Sequence, residues 1–213
     1  MILIKPSFEI MTKTFSNDAL NLIEKAGRTC YKSEDKITSK SAKKFVKDIL
    51  KRGHESVIEH SAMTVKFICD RGVSHEIVRH RLCAFSQEST RYVNYKGGCT
   101  FVIPFWCDKI ESGEYDITYF SKKPKDQQTW MTAMSEAEDS YKYLLSLGWS
   151  PQQARAVLPN STKTEIVVTA NFREWRHIFK LRCSKAAHPQ MREIMIPLLK
   201  ECQETIPVIF DLN

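Results

Sequence analysis

Residues 61–69 place the strongest limit on what this 213-residue chain can fold into. Their sequence, SAMTVKFIC, alternates apolar and polar side chains, as a β-strand with one buried face does. The apolar positions are Met63, Val65, Phe67 and Cys69. A helix is predicted to follow at once, over about residues 72–82. Strands mixed with helices in this way favour the α+β class over a regular βαβ series.

The remaining elements fit one domain over residues 1–213, with a mixed, mostly antiparallel β-sheet packed by helices. Helices are predicted over residues 17–26, 40–52, 126–147, 171–183 and 189–204, with a short one that begins at Ser150 and Pro151. Gly27 and Gly53 are interpreted as the stops of the first two helices. A strand is predicted over 163–170, strand character over 93–104 and a loop over 105–124.

The composition is that of a globular protein in a reducing compartment. Apolar residues make up 42% of the chain and charged residues 27%, which excludes wholesale disorder. No apolar run is long enough to cross a membrane, and the N-terminal MILIKPSFEI lacks the features of an export signal. The seven cysteines form no CxxC pair, which favours free thiols. A cytoplasmic protein without a membrane partner is predicted.

Several common ways of binding phosphate or metal are missing from the sequence. The seven glycines form neither GxGxxG nor GxxxxGK[ST], so a bound phosphate has to rely on arginine side chains or helix N-termini. His54 and His60 are six residues apart and do not share a helix face, so no metal site is predicted. GxSxG is also absent, which leaves Ser89 near His80 as a weak basis for a Ser–His–Asp triad.

A first basic cluster lies in residues 79–92, RHRLCAFSQESTRY, within a chain of net charge +7. On the predicted helix, Glu76, Arg79 and His80 share one side. Arg81 lies roughly opposite Arg79 on that helix. The triplet is either the solvated basic end of a helix, which the helix dipole favours, or part of a ligand site.

A second basic cluster lies on the helix predicted over residues 171–183. Its apolar stripe consists of Phe172, Trp175 and Phe179, and its basic face of Arg173, Arg176, His177 and Lys180. Arg182 follows on the same helix, and Arg155 lies on the short helix before it. Arginines on separate elements, each beside apolar surface, are what convergent binding of phosphate and carboxylate groups needs.

Two other kinds of function remain open from the residues alone. A nucleic-acid-binding module would suit the positive charge, but the lysine-rich stretches carry no helix-turn-helix, zinc-finger or RNP signature. A methyltransferase with a cysteine nucleophile would use Cys83, which follows RHR, where neighbouring cations could lower the pKa of the thiol. Alternatively, Cys83 is a small core residue beside Leu82 and Ala84.

The stretch RHRLCAFSQESTRY resembles the signature of the flavin-dependent thymidylate synthases. That signature reads RHR, two residues, Ser, one residue, Asn or Ser, Glu or Gln, one residue, Ser, one residue and Arg. GHESVIEH at 53–60 is similar to the family's GHE[ST]xxEH segment. ARAVLP at 154–159, NFR at 171–173 and LR at 181–182 occur in the family's order. The resemblance covers about residues 20–205.

The resemblance implies an enzyme that converts dUMP to dTMP. The methylene group would come from 5,10-methylenetetrahydrofolate and the reducing equivalents from NADPH through bound FAD. It also implies a homotetramer whose sites are assembled from several subunits, with no cysteine attack on the uracil and no nucleic acid as a partner. Arg182 matches the catalytic arginine that promotes ionisation at N3 of the uracil.

The resemblance further implies the residues of each site. Those implied to bind FAD are His54, Ser56, Glu59, Arg79, His80, Arg81, Gln87, Asn171, Arg173 and His177, with His188 as a weaker addition. Those implied to bind dUMP are Glu76, Arg79, Gln87, Glu88, Ser89, Thr90, Arg91, Arg155 and Arg182. The backbone N–H groups of residues 88–90 suit the dUMP phosphate. Three positions depart from the commonest pattern: Ala84 replaces a serine, Ser86-Gln87 replaces Asn-Glu, and His177 replaces an asparagine.

Overall fold

The computed structural model describes residues 1–13 and 15–212. The strands are β1 (Ile2–Ile4), β2 (Ser7–Ile10), β3 (Ala62–Asp70), β4 (Ala84–Gln87), β5 (Thr100–Val102), β6 (Gly113–Glu114) and β7 (Lys163–Asn171). The helices are α1 (Ala19–Thr29), α2 (Ala42–Lys51), α3 (Arg71–Ile77), α4 (Lys125–Ser146), α5 (Pro151–Ala154), α6 (Phe172–Arg182), α7 (Pro189–Thr205) and α8 (Pro207–Phe210). Short 3₁₀ helices cover Glu34–Lys36, Glu55–His60, Ile117–Lys122 and Arg155–Val157.

The strands form two sheets. In the three-stranded sheet, of order β5-β1-β6, β1 runs parallel to β5 and antiparallel to β6. The four-stranded sheet has the order β2-β3-β7-β4, so its two long strands, β3 and β7, lie at the centre. Mixed strand directions, together with helices that do not alternate regularly with strands, confirm the predicted α+β class.

The chain divides into two compact units. The first comprises Met1–Ser7, Phe67–Arg79 and Ser86–Ile166. The second comprises the described residues within 8–66, 80–85 and 167–213. The prediction of a single domain stays a prediction, and each unit is described by itself below.

The core of the first unit forms between the three-stranded sheet and α4. Leu3 of β1 and Phe101 of β5 are fully buried, as are Met131 and Tyr141 of α4. Met134 is buried as well, so these side chains turn one face of α4 to the core. Glu138 is also buried on α4 and accepts a hydrogen bond from the N–H of Cys99 (2.8 Å), which satisfies a backbone donor inside the core.

The core of the second unit is aromatic. The stripe predicted for α6, Phe172, Trp175 and Phe179, is confirmed, since all three side chains are at most 1% exposed. Trp175 stacks near Phe179, with ring centroids 5.6 Å apart, and donates its Nε1–H to the carbonyl of Met63 (2.9 Å). The buried aromatic rings anchor α6, and the indole N–H of Trp175 has its hydrogen-bond acceptor. The basic face of the helix is left outward.

Two helix boundaries differ from prediction. Helix α1 begins at Ala19 and continues through Gly27, which is therefore not its stop. A Cβ at Gly27 would lie 2.7 Å from Cε1 of Phe45 on α2, so the glycine permits close packing of the two helices. Gly53, in contrast, has φ +76° just beyond α2, as the predicted helix stop requires.

The second difference concerns the basic triplet. Helix α3 ends at Ile77, and the N–H of Arg79 bonds to the carbonyl of Glu76 three residues back (3.2 Å). Arg79 and Arg81 are therefore in turns, with His80 between them, and none of the three is on a helix. The prediction that Glu76, Arg79 and His80 share a helix side is wrong. The switch to i, i+3 bonding ends the helix because it cannot continue the α-helical ladder.

The other predicted elements are largely confirmed. Strands β3 and β7 and helices α4, α6 and α7 lie within two residues of their predicted bounds, and Pro197 is accommodated inside α7. Within 93–104 the strand is confined to β5, and the predicted loop 105–124 contains β6 and a 3₁₀ helix. All seven cysteines are free. Within the described residues, no helix is both long and apolar enough to span a bilayer.

Candidate functional sites

A cleft of about 780 Å³ opens on the second unit, over the basic face of α6. The 3₁₀ helix Glu55–His60 contributes Glu55 and Glu59 to its lining. The predicted cofactor residues that line it are Glu59, Asn171, Arg173 and His177. The remaining cations of the lining, Arg176 and Lys180, lie on the same helix. The structure thus brings two segments of the predicted FAD site, GHESVIEH and NFR, to one cleft.

Asn171 ends β7 and begins α6. Its Oδ1 accepts a hydrogen bond from the N–H of Glu174 (2.9 Å), so Asn171 is the N-cap of the helix. The cap and the buried aromatic stripe together fix which side chains of α6 face the cleft. Arg173 and His177, four residues apart, are therefore neighbours on the exposed face.

Both arginines of the cleft are paired with carboxylates. Arg173 donates from Nη1 to Oε1 of Glu59 (2.5 Å), and its Nε lies 3.8 Å from Oε2 of Glu55. Nη2 of Arg176 lies 3.3 Å from Oε1 of Glu55, and its Nη1 donates to the carbonyl of Ile209. These ion pairs tie the 3₁₀ helix to α6 and hold the guanidinium groups at the cleft wall.

A second arrangement in the same unit joins His80 and Arg182. The Nε–H of Arg182 donates to Nε2 of His80 over 2.9 Å. His80 is only 6% exposed, and its pKa is lowered to about 4, first by burial and then by the charges of Arg182 and His177. At neutral pH the imidazole is therefore uncharged, with Nε2 as acceptor and its proton on Nδ1.

A buried carboxylate lies on the other side of that imidazole. Oε1 of Glu174 is 3.6 Å from Nδ1 of His80. Together with His177, these residues offer three possible metal ligands whose atoms lie within 4.8 Å of one another. A cation there would face the guanidinium of Arg182, which already holds the same imidazole. The absence of a metal site stays a prediction.

The other predicted cofactor residues of this unit lie around the GHESVIEH segment and the basic triplet. His54 precedes the 3₁₀ helix, with Nδ1 3.2 Å from the hydroxyl of Tyr31. Ser56 is exposed on the same 3₁₀ helix as Glu59, and Arg81 is exposed in the turn after His80. None of the three is placed in the lining of the cleft described above.

The predicted substrate residues are gathered in the first unit, apart from Arg182. Thr90 is buried, and its Oγ1 accepts a hydrogen bond from Nη1 of Arg155 over 3.1 Å. The guanidinium of Arg91 lies over the ring of Tyr92, 5.5 Å from the centroid. The structure therefore brings ARAVLP to the SQESTRY segment, as binding of one ligand by both requires.

Gln87 and Glu88 are each held by several partners. Nε2 of Gln87 donates to Oγ of Ser74 (2.9 Å) and Oγ1 of Thr164 (3.2 Å), which fixes the direction of its amide. Glu88 accepts from the hydroxyl of Tyr95 (2.7 Å) and from Nζ of Lys163 (2.9 Å). Burial and the hydrogen bond to Glu88 raise the pKa of Tyr95, so this phenol stays a donor.

The expectation that the backbone N–H groups of residues 88–90 bind the phosphate is wrong for residue 88. The N–H of Glu88 donates to the carbonyl of Glu165 over 2.8 Å, because strand β4 continues its pairing with β7 at that point. This amide is therefore not available to a phosphate. Ser89 holds the following turn, since its carbonyl accepts the N–H groups of Tyr92 and Val93. Glu76 lies on α3 in the same unit, and Arg79 follows two residues after the end of that helix and is exposed.

The structure contradicts the alternative in which neighbouring cations lower the pKa of Cys83. Burial, followed by the negative charge of Glu174, raises the pKa of its thiol to about 12. At neutral pH Cys83 is therefore a thiol and not the thiolate that nucleophilic attack requires. Ala84, the departure from the signature, begins β4 and is exposed.

Sequence reasoning missed Glu174 and Lys163. Glu174 lies three residues after the N-cap Asn171, and Asn-x-x-Glu is a pattern that marks a helix start. That signal was available, but it predicts a carboxylate turned back to the cap, whereas the structure turns it to His80. Lys163 bridges Glu88 and Glu165 (2.9 and 2.6 Å), and no local pattern links it to Glu88.

Comparison with known proteins gives the class of this one. The family described as "Thymidylate synthase complementing protein" matches residues 10–208. A flavin-dependent thymidylate synthase of Corynebacterium glutamicum is 33% identical, covering 96% of this chain and 84% of the relative. Another, from Geobacter sulfurreducens, is 34% identical over 87% of this chain and 78% of the relative. The chain belongs to the family of flavin-dependent thymidylate synthases, and it is an enzyme.

Solved structures share the fold. A UMP/dUMP methylase, PolB from Streptomyces cacaoi, bound with 5-Br dUMP, matches with a TM-score of 0.77 at 24% identity, covering 100% of this chain and 96% of that one. The same methylase bound with 5-Br UMP matches with a TM-score of 0.75 at 22% identity, covering 99% and 94%. At this level of identity the likeness shows a common fold.

Proposed function

We propose that this enzyme catalyses the reductive methylation of dUMP to dTMP. FAD is the bound cofactor, 5,10-methylenetetrahydrofolate the source of the methylene group, and NADPH the reductant. The observation that carries the proposal is the contact of Arg182 with the neutral imidazole of His80, in a chain whose residues 10–208 match the family. Both relatives described above are named flavin-dependent thymidylate synthases.

The donor set of the cleft fits the pyrophosphate of FAD. Arg173, Arg176 and Lys180 supply the cations, and a guanidinium offers five N–H donors, of which the bond to Glu59 takes one from Arg173. When bound, FAD would accept a hydride from NADPH and pass it to the pyrimidine. The protein residues around it hold and orient the ligand, and His54, Ser56 and Arg81 are proposed as further contacts.

The first unit offers polar groups suited to dUMP. Arg91 and Arg155 are the cations for its phosphate, and Thr90 orients Arg155 through a hydrogen bond of 3.1 Å. Gln87 and Glu88 are already fixed by buried or partly buried partners, so they meet a pyrimidine without losing side-chain freedom on binding. Glu76, Arg79 and Ser89 are proposed to complete this set.

Arg182 has the electrostatic task in the reaction. Methylation needs electron density at carbon 5 of the uracil, and a fixed positive charge stabilises the negative charge that develops on the ring and at N3. Because His80 is neutral, its contact with Arg182 orients the guanidinium without cancelling its charge. A cysteine nucleophile has no part in this scheme, in agreement with the raised pKa of Cys83.

The assembly is proposed to be a homotetramer in the cytoplasm, with each active site built from residues of several subunits. The family membership supports this arrangement, and seven free cysteines suit a reducing compartment. Folate and dUMP are its small-molecule partners.

The proposal is tested with the purified protein, starting with its visible spectrum. We expect flavin absorbance that NADPH bleaches in the absence of oxygen and that returns on addition of methylenetetrahydrofolate and dUMP, with dTMP formed in equal amount. Omission of either substrate is the matched control and should give no dTMP. A protein that binds no flavin even after incubation with FAD would overturn the proposal.

A further inference from the structure

Glu174 has an unusual environment for a residue in the first turn of an exposed helix face. Its side chain is only 9% exposed, although it lies next to Arg173, which is half exposed. A buried carboxylate needs a hydrogen-bond donor or a positive partner to offset the loss of water. The imidazole of His80 lies beside it, with Nδ1 3.6 Å from Oε1.

His80 has two different neighbours on its two nitrogens. Nε2 accepts the Nε–H of Arg182 (2.9 Å), so the neutral ring has to carry its proton on Nδ1. That proton faces the carboxylate of Glu174. A separation of 3.6 Å is longer than a hydrogen bond, so the contact is an electrostatic one between the N–H dipole and a carboxylate, both in buried positions. The carboxylate, the imidazole and the guanidinium are thus connected in series through two contacts.

This arrangement resembles carboxylate–histidine pairs in which a carboxylate contacts the ring nitrogen that does not bind the functional group. A carboxylate facing one ring nitrogen sets the tautomer and the orientation of the ring, and it makes the other nitrogen a better acceptor. Here the other nitrogen receives the N–H of the arginine that the proposed function assigns to the uracil. A role in helix stability alone, as an acidic residue near the positive end of the α6 dipole, would not require the side chain to be buried or to face His80.

We propose that Glu174 is a positioning residue, which holds the Nδ1–H tautomer and the ring orientation of His80 so that Nε2 fixes the guanidinium of Arg182. This assignment rests on the proposed function for the role of Arg182. The geometry itself, however, can be tested by spectroscopy without any turnover.

The spectroscopic test uses the full-length protein labelled with ¹⁵N in histidine and arginine. Of the six histidines, His80 is identified by the signal that His80→Gln lacks. We expect separated imidazole ¹⁵N shifts with the proton on Nδ1, and a slowly exchanging Nε–H of Arg182. In Glu174→Gln the two ¹⁵N shifts should move towards each other, which is the mark of mixed tautomers, and the Arg182 signal should exchange faster. Unchanged signals in this variant would overturn the proposal.

The kinetic test separates positioning from binding. Glu174→Gln should lower kcat for dTMP on the order of 10-fold, the size typical of a lost orienting partner, with a smaller change in KM for dUMP. In a His80→Gln background, Glu174→Gln should have no further effect, because its route to Arg182 is already broken. Additive losses in the double variant, or a lower kcat with unaltered His80 signals, would show that Glu174 acts by another route and would overturn the proposal.

Glu24→Gln is the matched control. Glu24 is also a buried carboxylate of the second unit, paired with Arg28 (2.7 Å). Its loss should lower stability and leave kcat and the His80 signals unchanged. If the wild-type protein makes no dTMP, the proposed function fails while the tautomer measurement still decides the contact between Glu174 and His80.

Discussion

Nη1 of Arg173 lies 2.5 Å from Oε1 of Glu59, although the two residues are separated by more than a hundred positions in the chain. Both were predicted to bind FAD, and each is the partner of the other in this structure. A ligand phosphate that approaches Arg173 has to share the guanidinium with Glu59. The ion pair therefore orients the donor before binding and also competes for it.

Removal of the guanidinium should weaken FAD binding. Arg173→Ala is expected to raise the dissociation constant of FAD by about 10- to 100-fold, since a hydrogen bond to a charged group contributes about 1.5–3 kcal/mol. Titration of the apoprotein, followed by flavin fluorescence, measures the change. Lys200→Ala removes an exposed cation of α7 that pairs with Glu204 at 3.9 Å, and it should leave the affinity for FAD unaltered. An unchanged dissociation constant in Arg173→Ala would remove this residue from the FAD site.

Loss of Arg182 should affect turnover much more than cofactor binding. Arg182→Ala is expected to lower kcat for dTMP by about 10²–10³-fold, the effect of removing one preorganised electrostatic donor. Arg182→Lys retains the positive charge but loses the planar Nε–H that bonds to His80, so an intermediate rate is expected. Single-turnover assays, with FAD occupancy measured in parallel, distinguish a loss of turnover from a loss of cofactor binding. Wild-type rates in Arg182→Ala would contradict the electrostatic role.

His80 should make the protein sensitive to mild acid. Its pKa is about 4 in the folded state, against 6.5 for an unperturbed histidine, so the unfolded chain binds more protons between these pH values. The stabilising contribution is complete above pH 6.5 and is lost as pH falls to about 4, on the order of 3 kcal/mol in total. Urea unfolding at several pH values in this range measures the free energy of unfolding of wild type and His80→Gln. The variant should lack the part of the pH dependence that His80 contributes. The exposed His60→Gln serves as control, and equal slopes in wild type and His80→Gln would refute the effect.

A single hydroxyl should matter for nucleotide binding. Thr90→Val keeps the shape of the buried side chain but leaves Nη1 of Arg155 without its acceptor, so dUMP affinity should fall about 10-fold. Thr162→Val, in the same unit, removes another buried hydroxyl, which donates to the carbonyl of Pro159, and should leave affinity unaltered. Calorimetric titration with dUMP compares the variants. Equal affinities would mean that Arg155 is not oriented by Thr90.

Gly27 should resist substitution even by alanine. The new Cβ would lie 2.7 Å from Cε1 of Phe45, and relief of that overlap is expected to cost about 1–3 kcal/mol of unfolding free energy. Gly97→Ala is the matched control, since among the described residues nothing beyond the chain neighbours of Gly97 lies within 4 Å of its added Cβ. Urea denaturation of both variants gives the comparison. A Gly27→Ala protein as stable as the control would show that α1 and α2 can separate without loss.

The sequence predicted those elements whose local pattern and packing agree. Helix α6 has its N-cap at Asn171 and an apolar stripe with helical spacing, and both features appear in the structure. The same reasoning extended α3 too far, because Leu82 fits the apolar spacing of a longer helix. Leu82 is in fact 79% exposed, and hydrogen bonding ends the helix at Ile77. The spacing of apolar residues alone does not show where the backbone hydrogen bonds of a helix stop.

The residue types of the candidate sites were predictable, but their pairings were not. Arg182 and His80 are 102 residues apart, and no local pattern links them. The raised pKa of Cys83 has the same origin, since burial and Glu174 outweigh the cations that precede it in sequence. Charged residues that are adjacent in sequence are therefore a poor guide to the pKa of a buried group. That pKa depends on burial and on the groups that folding brings near.

The cap that begins α6 also fixes the polarity of one edge of the cleft. Oδ1 of Asn171 holds the N–H of Glu174, so the amide cannot turn over without breaking the helix start. Its Nδ2 group remains a donor, and a ligand atom placed against it has to be an acceptor, such as a phosphate or carbonyl oxygen. The hydrogen bond that starts the helix therefore also contributes to ligand selection. At this edge of the cleft it favours ligand atoms that accept hydrogen bonds over those that donate them, independently of the arginines.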